Sequence, residues 1–405
     1  MSALVQGIYT ENITDILKEE RLVVHLQPIL SLRGRTLFGF EALIRGVGKE
    51  GEILSPEWLF SEAKKADLSC ELDRQARLLA INTFVSFWRK NNKLLLFVNF
   101  ESELIDGFKP ENYLFDGLLK NLGIPYFNIV LEIKEDEIND VNKLNAFCNH
   151  YRSLGFTIAL DDFGVGQQSF DRLAIVRPDI IKIDRSLISG IGNNYIHQEI
   201  VQAICKMSSG IGALTLAEGV ETLEEAVYSK HLGITLVQGF WFAKPSVELI
   251  DTDFEFKIER IKIQCQKMMM NFQHGYDTLC AKAGDSCQKI YKAILEAPDL
   301  SQWHMHVKSA LENESDIEAL YLIDTNGKQV GDTFMQCTAR SFYEPTAHGS
   351  DHTFGEYYVR ARESANGYHL TNNYLSLASG NVCLTYSCTR LIKDQIYVLC
   401  IDFTK

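Results

Sequence analysis

The chain has 405 residues, 46% hydrophobic and 23% charged, which excludes a disordered polymer and asks for at least two folded cores. Its net charge of −13 excludes a nucleic-acid polymer as the main partner, because a polyanion needs a basic stripe to neutralise it. The opening MSALVQGIYTENITDILKEE lacks a basic start and an apolar run, and no stretch reaches ~18 consecutive apolar residues, so a cytoplasmic protein without a membrane span is expected.

From Leu22 onward, short β-rich runs alternate with helical patterns. The runs cover residues 22–30, 36–44, 94–100, 129–133, 157–163, 180–184, 213–220 and 236–242. Between them, segments such as 141–154 and 195–211 repeat apolar residues at spacings of three and four, the period of a helix. Several runs are almost continuously apolar, as strands buried on both faces are. Such alternation allows an open doubly wound sheet or a (β/α)8 barrel. Glu41, Asn99, Glu132, Asp161, Lys182, Glu218 and Gln238 fall at or just past the ends of seven different strands. A barrel gathers such ends at one mouth, whereas an open sheet strings them along an edge. The fold class expected is therefore α/β, a TIM-like barrel over residues 1–247. The Arg33-Gly34-Arg35 turn joins the first two runs as a hairpin, so one strand should run antiparallel.

After Pro245 the pattern changes. Residues 246–275 read as one helix, assigned to a linker over 248–275, with Phe254, Ile258, Ile261, Cys265, Met268 and Phe272 spaced as a short heptad seam. That face suits either the chain's own barrel or a homodimer. Helices over 276–297 and 301–313 follow, then a strand over 319–324 and a closing antiparallel hairpin series, giving a small α+β domain over 276–405. Ten cysteines without a CxxC pair read as reduced core thiols rather than a disulfide framework.

The acids suggest the chemistry. Carboxylates and an amide at separate strand ends form a hard-oxygen set suited to Mg²⁺ or Mn²⁺. The adjacent Asp161 and Asp162 repel each other unless one or two cations lie between them, and a two-metal centre suits phosphodiester hydrolysis. Lys182 can stand beside the attacking water as a base or an electrostatic anchor.

Phe40-Glu41-Ala42-Leu43-Ile44-Arg45 contains the tripeptide that names the EAL family of cyclic di-GMP phosphodiesterases, and the chain resembles that family over about residues 20–247. Further blocks agree in order: Gln27-Pro28-Ile29, Val98-Asn99, Leu131-Glu132-Ile133-Lys134-Glu135, Asp161-Asp162-Phe163-Gly164-Val165-Gly166, Lys182-Ile183-Asp184, Ala217-Glu218-Gly219-Val220-Glu221, and the run from Gln238 to Pro245. The resemblance implies that Glu41, Asn99, Glu132 and Asp161 hold one metal ion. Asp162 would hold a second, with Asp161 bridging and Glu218 or Glu221 helping through water. Lys182, Glu41, Glu218, Glu221 and Gln238 would carry catalysis. Gln27, Leu43, Arg45 and Asp184 would face the dinucleotide, and Glu135 would steady the loop after Asp162. Lys134 and Val165 both stand where the family usually has Thr.

The C-terminal segment resembles PAS/Cache-like sensor domains, with Tyr358, Arg360, Tyr374 and Asp402 as candidates around an unidentified small ligand. Three functions are compatible with these residues: a phosphodiesterase regulated by its C-terminal domain, a non-catalytic cyclic di-GMP receptor, and a scaffold. The intact acid, amide and lysine set favours the first.

Overall fold

A computed structural model describes residues 11–107, 116–134, 138, 140–164, 170–248, 253–312, 314–339 and 342–404. Glu135, Val165 and Gly166 lie outside the described residues. The chain divides into two compact units, Met1–Lys267 and Met268–Lys405.

In the first unit the strands are β1 (Leu22–Ser31), β2 (Thr36–Val47), β3 (Ile53–Leu54), β4 (Leu95–Phe100), β5 (Ile129–Ile133), β6 (Thr157–Phe163), β7 (Ile180–Ile183), β8 (Leu214–Ala217) and β9 (Leu236–Val237). The hydrogen-bonded order is β1-β9-β8-β7-β6-β5-β4-β2, and β1 also pairs with β2, so eight strands close a ring with β3 added outside it on β2. β1 is antiparallel to both its neighbours, and the other ring pairings are parallel. Closure leaves no free edge in the ring. It confirms the barrel with one reversed strand.

Helices cover the barrel because their apolar residues recur on one face. In the helix Val141–Leu154, Leu144, Phe147, Cys148 and Tyr151 are buried, and the Asp140 carboxylate accepts from Asn142 N and Lys143 N at the start. The barrel interior is filled by Ile29, Phe97, Val130, Ala159, Ile180, Leu216 and Leu236, one from each of seven strands. Side chains alternate along a strand with period two, so the next inward residue lies two positions on. On the six parallel strands of this set that step reaches Asn99, Glu132, Asp161, Lys182, Glu218 and Gln238. On the reversed β1 it runs backwards, from Ile29 to Gln27. The polar mouth is thus the layer directly above an apolar plug.

A helix of 42 residues, Phe254–Leu295, replaces the expected segments 246–275 and 276–297. Gly275 lies inside it: a single glycine costs a helix about 1 kcal/mol and does not end it. The heptad seam divides along this helix. Ile258 and Ile261 are buried, and the Cys265 thiol points at Val227 O at 3.5 Å, so this half packs on the first unit's own barrel. Phe272, on the next turns, is half-exposed.

The second unit has β10 (Ile317–Ile323), β11 (Phe334–Met335), β12 (Tyr368–Leu370), β13 (Tyr374–Leu375), β14 (Val382–Ile392) and β15 (Gln395–Thr404). They form an antiparallel sheet in the order β11-β10-β15-β14-β12, with β13 on β14. The expected helix 301–313 is two short 3-10 turns, Leu300–Met305 and Lys308–Leu311. Buried Trp303 holds the first turn in place by donating its indole N–H to Val330 O at 2.6 Å. One sheet face, including Leu320, Leu322, Leu399 and Ile401, packs with Ala283, Cys287, Ile290 and Ile294 of the long helix. The opposite face meets Tyr358 and Ala361 of the helix Glu356–Glu363. All ten cysteines are free thiols, and Cys287 Sγ lies 2.8 Å from Cys388 Sγ.

Candidate active site

The mouth centres on Lys182, a fully buried ammonium within a strand whose four residues are all buried. Its Nζ lies 2.6 Å from Glu132 Oε1, 2.8 Å from Asp161 Oδ1, 2.8 Å from Glu218 Oε1 and 3.6 Å from Glu41 Oε1. Four carboxylates therefore share one cation. Glu41 is held from its other side: its Oε2 accepts from Gln238 Nε2 at 2.5 Å, and its Oε1 accepts weakly from Asn99 Nδ2 at 3.5 Å. The Gln238 amide also donates to Gln27 Oε1 at 2.9 Å, and Gln27 Nε2 donates to Ala243 O at 3.1 Å.

Two backbone devices build this arrangement. The register between β6 and β7 shifts between Leu160 and Phe163, and Asp162 adopts φ +54°, a left-handed conformation uncommon outside glycine. The irregularity lets neighbouring side chains, which a regular strand sends to opposite faces, both reach the mouth: ligand oxygens of Asp161, Asp162 and Glu218 lie within 4.8 Å of one another. The second device is Gly239. A Cβ there would stand 2.1 Å from Val220 O, so only glycine lets the chain after Gln238 lie against the segment after Glu218. Val220 N donates to Gln238 O and Trp241 N to Val220 O, each at 3.0 Å, locking the two segments together.

Charge and burial oppose each other here. Burial pushes the Glu132 carboxyl well above its usual range despite the Lys182 ammonium. Glu218 is likewise pushed up to about 8, burial outweighing the lysine. For Asp161 burial also acts upward, but the Lys182 and Lys134 charges win and hold it below the usual range. Burial acts downward on Lys182 itself, and its ring of carboxylates overcomes this and raises it well above an ordinary lysine. Glu132 Oε2 is buried with no hydrogen-bond partner. An excess of buried carboxylate oxygen around one ammonium, one atom of it orphaned, fits a divalent cation bound by hard oxygen donors.

A cavity of about 650 Å³ opens above this cluster, and Gln27, Glu41, Leu43, Arg45, Asn99, Asp161, Asp162, Lys182, Glu218, Glu221 and Gln238 line it. Glu132, paired with Lys182, is not among the lining residues. Asp184 is also outside that lining: its carboxylate accepts from Ser186 N at 2.8 Å and caps the helix Arg185–Ile188. Glu221 pairs with Arg185 at 2.9 Å. Sequence reasoning missed four features. Glu57, Asp73 and Arg77 line the cavity, and Asp73 and Arg77 form a buried ion pair one helical turn apart. Glu225 accepts from the Glu221 and Thr222 amides at 2.8 and 3.0 Å and fixes the loop carrying Glu218 and Glu221. The Thr222-to-Glu225 spacing is a capping box, a signal readable in the sequence.

The barrel with this acid-and-lysine mouth defines a member of the EAL family, and the EAL domain matches residues 10–245, more than half of the chain. The chain belongs to that family. It is 24% identical over 399 residues to the EAL-domain containing protein YkuI of Bacillus subtilis, covering 96% of this chain and 94% of that one. The cyclic di-GMP phosphodiesterase PdeR of Escherichia coli is 30% identical over 239 residues, which are 58% of this chain and 35% of PdeR. Among solved structures, YkuI in complex with cyclic di-GMP and calcium superposes with a TM-score of 0.78 at 24% identity over 98% of this chain and all of that one. The EAL domain of FimX from Pseudomonas aeruginosa, bound to cyclic di-GMP, gives 0.53 at 24% identity over 60% of this chain and 97% of that domain. Both fold likenesses include the barrel, and the YkuI likeness extends through the second unit.

Proposed function

We propose that the chain is a metal-dependent phosphodiesterase that hydrolyses cyclic di-GMP to linear pGpG. The observation that carries this reading is Lys182 buried among Glu41, Glu132, Asp161 and Glu218 at the floor of an open cavity. Glu41, Asn99, Glu132, Asp161 and Asp162 would hold Mg²⁺ or Mn²⁺, which supply polarisation of the phosphoryl oxygen and acidification of a bound water. The protein's own groups divide the remaining work. Lys182 holds the attacking water against the cluster, and Gln238, tied to Gln27 and Glu41, orients it. Arg45 meets a phosphate, and Gln27 and Leu43 form the wall beside the dinucleotide. Glu218 and Glu221 act through water.

Residues 276–405 would then serve as a PAS/Cache-like regulatory domain after the barrel over 1–247 and the linker over 248–275, in a cytoplasmic homodimer. Exposed Met269, Met270 and Phe272 supply an apolar surface for the second copy. In the second unit Tyr374 and Asp402 meet through the Thr385 hydroxyl, at 2.5 and 2.6 Å, whereas Arg360 faces solvent. The two candidates that meet mark where a small ligand would be read.

Incubating the full chain with cyclic di-GMP and Mn²⁺, and separating the products, tests the enzymatic reading. Linear pGpG is the expected product, and none should form in chelator. Nucleotide binding without turnover at saturating Mn²⁺ would replace it with the receptor reading.

A further inference from the structure

Lys134 follows β5 directly and brings a second ammonium to the mouth, where the family pattern has Thr. Its Nζ lies 2.6 Å from Asp162 Oδ2. The two lysines of the site differ in one decisive respect. Lys182 is 1% exposed and bound to four carboxylates, so its charge is a fixed part of the cluster. The Lys134 side chain is 41% exposed and Asp162 is 36% exposed, so that pair sits in contact with water and can exchange. Asp162 is also the carboxylate that the bulge in β6 turns toward Asp161 and Glu218. An ammonium on Asp162 competes for the carboxylate that a cation would use.

We infer that Lys134 is a resident counter-ion that competes with a divalent cation at Asp162. The chain then has two unequal cation positions, a tight one on the buried carboxylates and a weaker one that uses Asp162. Occupancy of the weaker position follows the free divalent concentration. The inference rests on the metal-dependent reading above and adds the residue that sets its metal response. Its physical basis is plain. A like charge a few ångströms from a dication is repelled twice as strongly as it would be by a monovalent ion, and a long flexible stem lets the ammonium yield to solvent rather than block the position outright. The same charge acts on Asp161, whose carboxyl it helps hold ionised.

The test is equilibrium binding of Mn²⁺ alone to the full chain without nucleotide, read from the paramagnetic resonance of free Mn²⁺. The native chain should show a tight and a weak class. Lys134→Thr should tighten the weak class about ten-fold and leave the tight class unchanged within about two-fold. Lys134→Arg, which keeps the charge, should stay native-like, and Asp162→Asn should abolish the weak class. Equal affinities in native chain and Lys134→Thr, or a shift of both classes together, would overturn the inference while leaving the metal site intact. A native chain that binds no Mn²⁺ would remove the metal reading itself.

Discussion

Each unit buries carboxylates, and the two units neutralise them differently. In the barrel mouth, Glu41, Glu132, Asp161 and Glu218 face one ammonium, and Glu132 Oε2 stays without a partner. In the second unit, Asp402 faces hydroxyls: its Oδ1 accepts from Thr385 Oγ1 at 2.6 Å and Tyr321 Oη at 3.2 Å. Burial pushes its carboxyl up to about 7, with Glu318 adding to the rise. The mouth is built to take positive charge, whereas the sheet face is built to take a proton. A buried acid thus becomes a cation site only where several acids outnumber their counter-charge and a cavity leads to them.

The largest expected effect breaks the first half of that contrast. Lys182→Met removes the shared ammonium and should cost about 3–5 kcal/mol of stability in chelator, because the buried acids lose their counter-charge and must take up protons or repel one another. It should also lower hydrolysis by more than about a thousand-fold. Thermal unfolding with and without Mn²⁺ measures the first effect, and Mn²⁺ should raise the variant's midpoint more than the native one. A variant as stable as the native chain in chelator would show that the carboxylates are not charged together.

The second half predicts a pH dependence of opposite cause. Asp402 has a folded pKa near 7 against an ordinary value of 3.8, so the folded state binds the extra proton between those values. Its contribution is fully present below the unfolded value and is lost as pH rises through about 7, up to about 4 kcal/mol in all. Unfolding of the second unit followed by Trp303 fluorescence, at about pH 5 and about pH 8, should show the decline, and Asp402→Asn should flatten it. An unchanged slope in the variant would assign the dependence to other groups.

Smaller effects sharpen the comparison. Gly239→Ala should cost about 1–3 kcal/mol by forcing the segment off Val220, and should weaken nucleotide binding because Gln238 moves with it. Calorimetric binding and denaturant melts check both. Arg74→Ala, which breaks an exposed pair with Glu71 one helical turn away, should change stability by less than about 0.5 kcal/mol. A larger loss there would mean that exposed pairs count here as much as buried ones.

Most of the barrel was legible because its strands are nearly continuous apolar runs, seven of them with a polar residue at or just past the end. Phe97-x-Asn99, Val130-x-Glu132 and Ile180-x-Lys182 each place a polar residue one layer above an apolar one. The Arg33-Gly34-Arg35 turn announced the reversed strand. The cluster's partners were less legible, since Asp73 with Arg77 and Lys134 with Asp162 depend on where helices and bulges bring side chains. The long helix was misread at Gly275, where a glycine suggests a break but costs only about 1 kcal/mol, too little to end a helix. The turns over 300–311 escaped for a different reason: their shape follows from Trp303 reaching Val330, a contact between distant segments.

Ring closure by β1 has a kinetic consequence. Gln27 and Gln238, whose amides bond to each other, are separated by 211 positions, and β1 pairs with β9 only after almost the whole barrel has been made. During synthesis the hairpin of β1 and β2 therefore waits with one edge unpaired while the six later strands of the ring emerge. Folding governed by so distant a pairing is slow, and the waiting edge is the surface most exposed to wrong association. The mouth is the last part to assemble, so a chain halted before Gln238 can carry every acid of the site and still lack the amide that holds Glu41 in place.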